Sequence, residues 1–294
     1  MILLTGATSP VGRALLARLI DSGERVRCLV HDARELGPDR VRVQIALGSI
    51  DDHETYRNAL RGVRTVIHVA STHRDLPGTT IEQRIVLTTW NLVEAAQRAR
   101  VERFILLSAV GASRARRARF LRSKALAEEI VTQAKIPSTI VAATHTYAPS
   151  TSWIQVMGML ARFPVVPVPG GKSLKFQPIA AQDVAACLAA SIGSEFVGER
   201  LELAGPETLT SREAAYEVLR AVGSDARVIR VPKALVLRAV RLFAPQGRGG
   251  QRITEDEFEL LLESLLTERG TADAERLGVS PARLEDALIA GTKS

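Results

Sequence analysis

The residues best placed to do chemistry lie within the opening dozen, MILLTGATSPVG. Gly6 can turn the chain sharply out of the apolar run Met1 to Leu4, and Gly12 can let a following helix lie close to that strand. Between them Thr8, Ser9, Pro10 and Val11 stand at the helix start, where unpaired N–H groups attract a diphosphate. Pro10 is no obstacle, because the first helical turn tolerates a missing N–H. Ser9 takes the place of the second glycine of a dinucleotide fingerprint, which predicts a looser backbone contact or a hydroxyl contact in its stead. A glycine turn without ligand is the plain alternative. The strand–turn–helix order favours phosphate binding.

Further candidate groups follow strand ends. His73 comes after TVIHV, and His145 and Tyr147 come after STIVAA. Tyr147 or His73 could approach a bound ring; the plainer expectations are a packed loop aromatic and a solvent-exposed histidine. His145 reads as an ordinary loop contact, His68 as a satisfied core histidine, and His53 shows no partner pattern. Five histidines and two cysteines give no zinc spacing, so no metal is expected. No G-x-S-x-G or kinase-type motif occurs. The run Arg114 to Arg119 is a solvated basic face in the plainer reading and a dock for an acidic partner or anionic headgroup in the other. With 4% aromatic residues there is little material for base stacking, so no nucleic-acid partner is expected.

Those groups need a scaffold, and the apolar runs supply one. Strands are predicted at Met1 to Leu4, Arg25 to Val30, Val41 to Ile45, Thr65 to Val69, Phe104 to Leu107 and Ser138 to Ala143. Helices alternate with them: Arg13 to Ile20, Asp51 to Leu60, 81–99, and one through Ala134. That rhythm implies an α/β fold, a doubly wound, mainly parallel Rossmann-type sheet with its loops along one rim. After Ser150 the rhythm changes. A helix at Trp153 to Leu160, a proline-rich loop at Phe163 to Gly171 and an exposed loop at Gly247 to Gly250 are expected. Capping boxes at Thr210 and Thr254 open helices to about Val222 and Glu268, and a short helix follows Ser280 and Pro281. Residues 1–150 therefore read as the nucleotide-binding domain, rejoined by 176–193. Residues 151–175 and 194–294 read as a smaller, mostly helical lobe.

The 294 residues carry 46% hydrophobic and 24% charged side chains and a net charge of +7. That is ordinary for a globular protein, and arginines spread along helices make a weak case for a polyanionic partner. Cys28 and Cys187 sit in apolar segments and read as buried thiols. Neither a leader nor a transmembrane segment is evident, so a cytoplasmic location is expected.

The pattern resembles the atypical and extended short-chain dehydrogenase/reductase superfamily. It is most similar to the NmrA-like branch, which includes relatives of the nucleotide-binding accessory subunit of respiratory complex I. The segments TGATSPVG, VIHVAS, LLSAVGA, FLRSKALAEE, KFQPIAAQDVAACLAA and LELAGPETLT carry the likeness across nearly the whole chain. The resemblance implies NADP or NAD as cofactor, with its diphosphate wrapped by Thr5 to Gly12. It puts His31 beside the adenosine ribose, Ser49 and Ile50 at the adenine, and Ala70 and Ser71, with Thr72 beyond, under the middle of the cofactor. Arg34 would neutralise a 2′-phosphate, whereas Asp32, if it faced the sugar, would prefer a 2′-hydroxyl; NADP is the expected preference.

In this superfamily a serine, a tyrosine and a lysine four residues later do the chemistry. They fall at Ser108 (or Ser113), Phe120 and Lys124. Lys124 can still bind ribose, but Phe120 has no hydroxyl to move a proton. The resemblance implies an NAD(P)H-dependent reductase passing hydride to a small or medium apolar acceptor, a quinone or an enone. The substrate would lie beside Trp153, Met157 and residues 163–171. The alternative is a non-catalytic NAD(P)H-binding regulator, redox sensor or assembly factor with a protein partner or a second copy of itself. Nucleotide-sugar epimerase or dehydratase chemistry fits poorly with Phe120 and the short second lobe.

Overall fold

The computed structural model describes residues 1–48, 53–75, 77–170, 174–232, 234–235, 238 and 254–291. Five strands, β1 (Ile2–Thr5), β2 (Val26–Val30), β3 (Gln44–Leu47), β4 (Thr65–His68) and β5 (Arg103–Ala109), precede β6 (Ser138–Ala143). Between them run α1 (Pro10–Asp21), α2 (His53–Ala59), α3 (Thr88–Arg98) and α4 (Arg119–Gln133). With the strand Arg200–Leu203 at one edge they form a seven-stranded parallel sheet, ordered (200–203)-β6-β5-β4-β1-β2-β3. The chain winds outward both ways from the β1–β4 boundary, and in such sheets the crevice beyond the strand ends at that switch point takes the ligand.

Burial on both faces explains the near-continuous apolar strands. Leu4, Cys28 and Ile67 pack under Leu15, Leu16 and Leu19 of α1 and against α6 (Ala181–Ala190) through Val184 and Leu188. Leu3, Val66 and Phe104 pack against Leu92 and Ala96 of α3 and Leu121 and Val131 of α4 on the other face. His68 occupies an inward position. Its Nδ1 lies 2.7 Å from Thr5 Oγ1 and its Nε2 3.2 Å from Thr89 Oγ1, and burial lowers its pKa to about 3. Both nitrogens of this core histidine are therefore satisfied. Cys28 and Cys187 are free buried thiols.

Three local results depart from the sequence expectations. Val41 closes a run of 3-10 turns, Ala33–Val41, so the third strand begins only at Gln44; Gly37 at φ 60° and Pro38 break any longer helix there. The proline-rich stretch is not a loop. Val165–Gly170 pairs in parallel with Arg227–Pro232, and alternation buries Val166 and Val168 while Pro167 and Pro169 fall at the intervening positions. Arg200–Leu203, assigned from sequence to the smaller lobe, extends the main sheet. That lobe is consequently of mixed composition. It holds helices α5 (Ser152–Leu160) and α7 (Ser211–Ala221), a strand pair Lys175–Phe176 with Leu209–Thr210, and the terminal helix Leu284–Gly291.

Both expected capping boxes form, at Thr210 and at Thr254. The helix opened by Thr254, α8 (Glu255–Leu261), stops seven residues short of the expected Glu268. The predicted loop at Gly247 to Gly250 lies outside the described residues.

Candidate functional site

At the carboxyl end of β1 the chain turns at Gly6, whose φ is 75°; a Cβ there would sit 2.5 Å from the Ala70 nitrogen. A Cβ on Gly12 would lie 2.0 Å from the Gly6 carbonyl oxygen, so α1 packs against the turn only because position 12 has no side chain. Ser9 caps the helix: its Oγ donates to Gly6 O at 2.8 Å and accepts from Gly12 N at 3.0 Å. The hydroxyl is therefore spent inside the turn, and it supplies the rigidity of the turn where a ligand contact was one expectation. Pro10 has no N–H, and those of Gly12 and Arg13 bond to Ser9, which leaves the Val11 N–H as the unbonded donor of the first helical turn.

Two contiguous cavities meet at this turn. The first, about 240 Å3, is lined by Gly6, Ala7, Thr8, Ser9, Ala70 and Ser71, and reaches Leu29, Val30, His31, Glu35, Gly48 and Arg84. The second, about 410 Å3, shares Ser9 and Ser71 and continues past Pro10 and Val11 to His73, Ser108, Phe120, Lys124 and Thr144. A long molecule with a phosphate-rich middle fits this layout, with nucleoside ends on either side of the turn.

Arg34 does not enter the first cavity. Its guanidinium pairs with Asp32 at 2.7 Å with the side chain 86% exposed, and Asp32 caps the 3-10 turn through Arg34 N. Thr72 is likewise turned to local work, donating to the Arg74 carbonyl at 2.8 Å. Ser49 and Ile50 lie outside the described residues. The ionisable groups at the first cavity are His31, Glu35 and Arg84. Arg84 rises from one π-helical turn, Gln83–Leu87, that precedes α3. Neither Glu35 nor Arg84 carries a sequence signal for this place, because both arrive through the fold.

In the second cavity Lys124 is 3% exposed. Its Nζ donates to the Leu107 carbonyl at 2.7 Å and lies 5.6 Å from the centre of the Phe120 ring. Burial lowers its pKa to about 8, with Glu128 acting in the opposite sense. Phe120 lies where a tyrosine hydroxyl would have been expected, and His73 packs on it with ring centres 4.5 Å apart. His73 is itself exposed, as the plainer expectation from the sequence had it. Ser108 lines the cavity, but its hydroxyl donates at 2.5 Å to Glu128, which also pairs with Arg200. Tyr147 is not at the site. It is 1% exposed, its hydroxyl lies 3.4 Å from the Arg283 carbonyl, and it packs with Trp153 inside the second lobe. Its β-like segment pairs with Ile179–Ala180, which turns the ring away from the cleft.

The far wall was not evident from sequence. Helix α8 and the residues after it present Glu257, Leu260, Leu261 and Leu265 to the cleft. Ion pairs tie this segment to the sheet domain: Asp256 with Arg119 at 3.4 Å, Glu257 with Arg74 at 3.7 Å, and Glu263 with Arg116 at 3.1 Å. Arg119 also binds Asp75 and Glu82, and Arg114 pairs with Glu129. Much of the basic run thus serves the chain's own acidic groups. The signal that could have revealed the wall is the leucine spacing after the Thr254 cap. Among the described residues no cluster suited to a metal occurs, and no helix is long and apolar enough to cross a membrane.

Comparison with known proteins agrees with this geometry. Residues 6–195 match the family described as NAD(P)H-binding. A subunit of Arabidopsis thaliana, NADH dehydrogenase [ubiquinone] 1 alpha subcomplex subunit 9, mitochondrial, is 25% identical over 77% of this chain, which spans 59% of that protein's length. The (4-alkanoyl-5-oxo-2,5-dihydrofuran-3-yl)methyl phosphate reductase of Streptomyces griseus is 29% identical over 77% of this chain and 76% of its own. An NADPH-dependent quinone oxidoreductase of Escherichia coli, solved with NADPH, superposes with a TM-score of 0.78 over 98% of each chain at 18% identity, a likeness of fold. The chain belongs to the NAD(P)H-binding family, within the atypical, NmrA-like short-chain dehydrogenase/reductases.

Proposed function

We propose that the protein is an NAD(P)H-dependent reductase of a small or medium apolar acceptor, a quinone or an enone, with NADPH as preferred donor. One observation carries this reading: two cavities joined at a glycine turn end on a single buried lysine facing an apolar wall. Gly6, Ala7, Thr8, Ser9, Pro10 and Val11 would hold the diphosphate, with Gly12 making room for the helix behind it. His31 and Arg84 would meet the adenosine ribose, Ala70 and Ser71 the middle, and Lys124 the second ribose. Arg84 is the cation that would favour a 2′-phosphate, and Glu35 opposes it.

When bound, the nicotinamide supplies a hydride. The acceptor takes that hydride and one proton. Phe120 cannot supply the proton, and His73 lies exposed over the Phe120 ring, out toward solvent. Lys124 remains. One of its N–H bonds is held by Leu107 O, so the others are free to stabilise negative charge developing on an acceptor oxygen and to release a proton that solvent restores. A conjugated acceptor needs no phenol placed against a carbonyl, which is why Phe120 suits quinone or enone reduction better than carbonyl–alcohol exchange. Ser108, bound to Glu128, would act by fixing the strand end.

Phe120 and the likeness to a respiratory-complex subunit favour a second reading, in which cofactor binding without turnover shapes a surface for a protein partner. Both are tested by following the near-ultraviolet absorbance of NADPH and NADH with a quinone and enone panel, beside a direct cofactor titration. The first reading expects oxidation of bound NADPH. Tight binding without oxidation across the panel would leave only the second.

A further inference from the structure

A third cavity, of about 150 Å3, opens behind the cleft. Trp153, Met157 and Leu160 of α5 form one side, Val168 and Ala215 others, and Phe258 and Leu261 of α8, with Leu262 just after it, the roof. It shares His145, Trp153 and Leu261 with the cleft that ends at Lys124, so the two are continuous. Its polar lining groups are engaged except for one atom, His145 Nδ1, which is buried without a hydrogen-bond partner. His145 Nε2 lies 3.2 Å from the Leu260 carbonyl, an arrangement that requires the proton on Nε2, and Ser211 Oγ donates to the Pro169 carbonyl. Burial keeps His145 neutral by lowering its pKa to about 4. Among the described residues no charged group and no free donor lines this space, and His145 Nδ1 is its free acceptor.

We infer that this chamber holds a hydrocarbon arm of the acceptor, which makes the substrate bipartite: a conjugated head beside Lys124 and an aliphatic arm under α8. The inference rests on the reductase reading for the head, and on the chamber alone for the arm. An apolar cavity of this size is stable when dry and is large enough for a benzene-sized guest, or about six carbons. A water would find a single partner here, His145 Nδ1, fewer than the two to four it needs, whereas each methylene moved into the chamber gains its full transfer free energy, about fourfold in affinity. The occupant enters from the cleft because the shared residues open onto it. Its polar end stays in the cleft, since beyond His145, which the two spaces share, no lining group is free to satisfy it.

The arm can be tested without turnover. The chain has two tryptophans, and Trp90→Phe leaves Trp153, in the chamber wall, as the fluorescent reporter. Full-length protein with this substitution is titrated, without cofactor, with 1-alkanols from butanol to decanol. Affinity is expected to rise about fourfold per methylene up to about six carbons and then level off. Ala215→Phe should fill the chamber and abolish the dependence on chain length. Leu262→Phe, from the roof, does the same should the first variant fail to fold. Affinity that ignores chain length in the unfilled protein, or a dependence that survives both fillings, overturns the arm. The two claims fail separately: an arm that binds while no acceptor oxidises NADPH defeats the reductase reading alone.

Discussion

The two ends of the cleft are built by opposite means. At the glycine turn the surface is backbone, and side chains are absent or used up: Gly6 and Gly12 have none, and the Ser9 hydroxyl is bonded within the turn. At the other end the surface is side chain throughout, with leucines of α8, Trp153, Phe120 and one buried ammonium. A backbone surface tolerates almost no change but accepts any ligand with the right phosphate spacing. A side-chain surface changes readily, and that is where specificity is written.

The contrast is broken most severely at Gly12. Its Cβ would sit 2.0 Å from a backbone carbonyl that cannot swing away. Gly12→Ala should cost about 3 kcal/mol of stability and ~100-fold in NADPH affinity, read by denaturant melts and calorimetric titration. A change of similar size at the side-chain end, such as Met157→Leu, should leave cofactor affinity unaltered. If Gly12→Ala binds NADPH normally, the backbone end is not the cofactor cradle.

Next in size is Lys124. Lys124→Met should lower NADPH oxidation by about 100-fold and raise stability at pH 7 by ~1–3 kcal/mol. The folded pKa lies near 8, below the ordinary 10.5. Between those values the unfolded chain holds the extra proton, so wild-type stability rises with pH across that window, and the variant should lose the rise. Turnover should fall as pH climbs through 8. His68 and His145, held neutral by burial, work on the acid side, and stability should drop as pH falls below about 6.5, where the unfolded histidines take up protons first.

A smaller effect belongs to the roof. Arg119→Ala frees Asp256 of α8 as well as Asp75 and Glu82, and should cost roughly 1–2 kcal/mol, less in high salt. Amide hydrogen exchange should quicken across Glu255–Leu261 while α1 stays protected. Equal acceleration in α1 would show that α8 is no separate roof.

The smallest effects concern nucleotide choice. Arg34→Ala should leave the ratio of NADPH to NADH affinity within a factor of two, because Arg34 is spent on Asp32. Glu35→Gln should move the ratio toward NADPH by about threefold, by removing a carboxylate from the first cavity. A large loss of NADPH binding in Arg34→Ala would show that its pair with Asp32 opens to admit the phosphate.

This division also explains what could be read in the sequence. Gly6, Gly12 and the alternation of strands with helices are imposed by backbone geometry, and backbone geometry leaves a mark on residue type that a single sequence displays. Phe120 and Lys124 were legible only through the resemblance of FLRSKALAEE to the superfamily's tyrosine–lysine motif. Tyr147 misled because proximity to a strand end says nothing about the ring's direction, which a two-residue pairing with Ile179–Ala180 decides. Glu35, Arg84 and Leu261 were silent, since a side chain on an irregular turn or a distant helix acquires its role only when the chain is folded. The proline-rich stretch was misjudged for a related reason: alternate prolines leave a parallel partner on Val165–Gly170 possible, and only the fold supplies that partner.

The most direct test of the central claim is calorimetric titration of the full chain with NADPH and with NADH, wild type beside Gly12→Ala. Saturable binding at one site per chain, tighter for NADPH and lost in the variant, is the expected result. Absence of binding by either nucleotide, or equal binding by the variant, would contradict it.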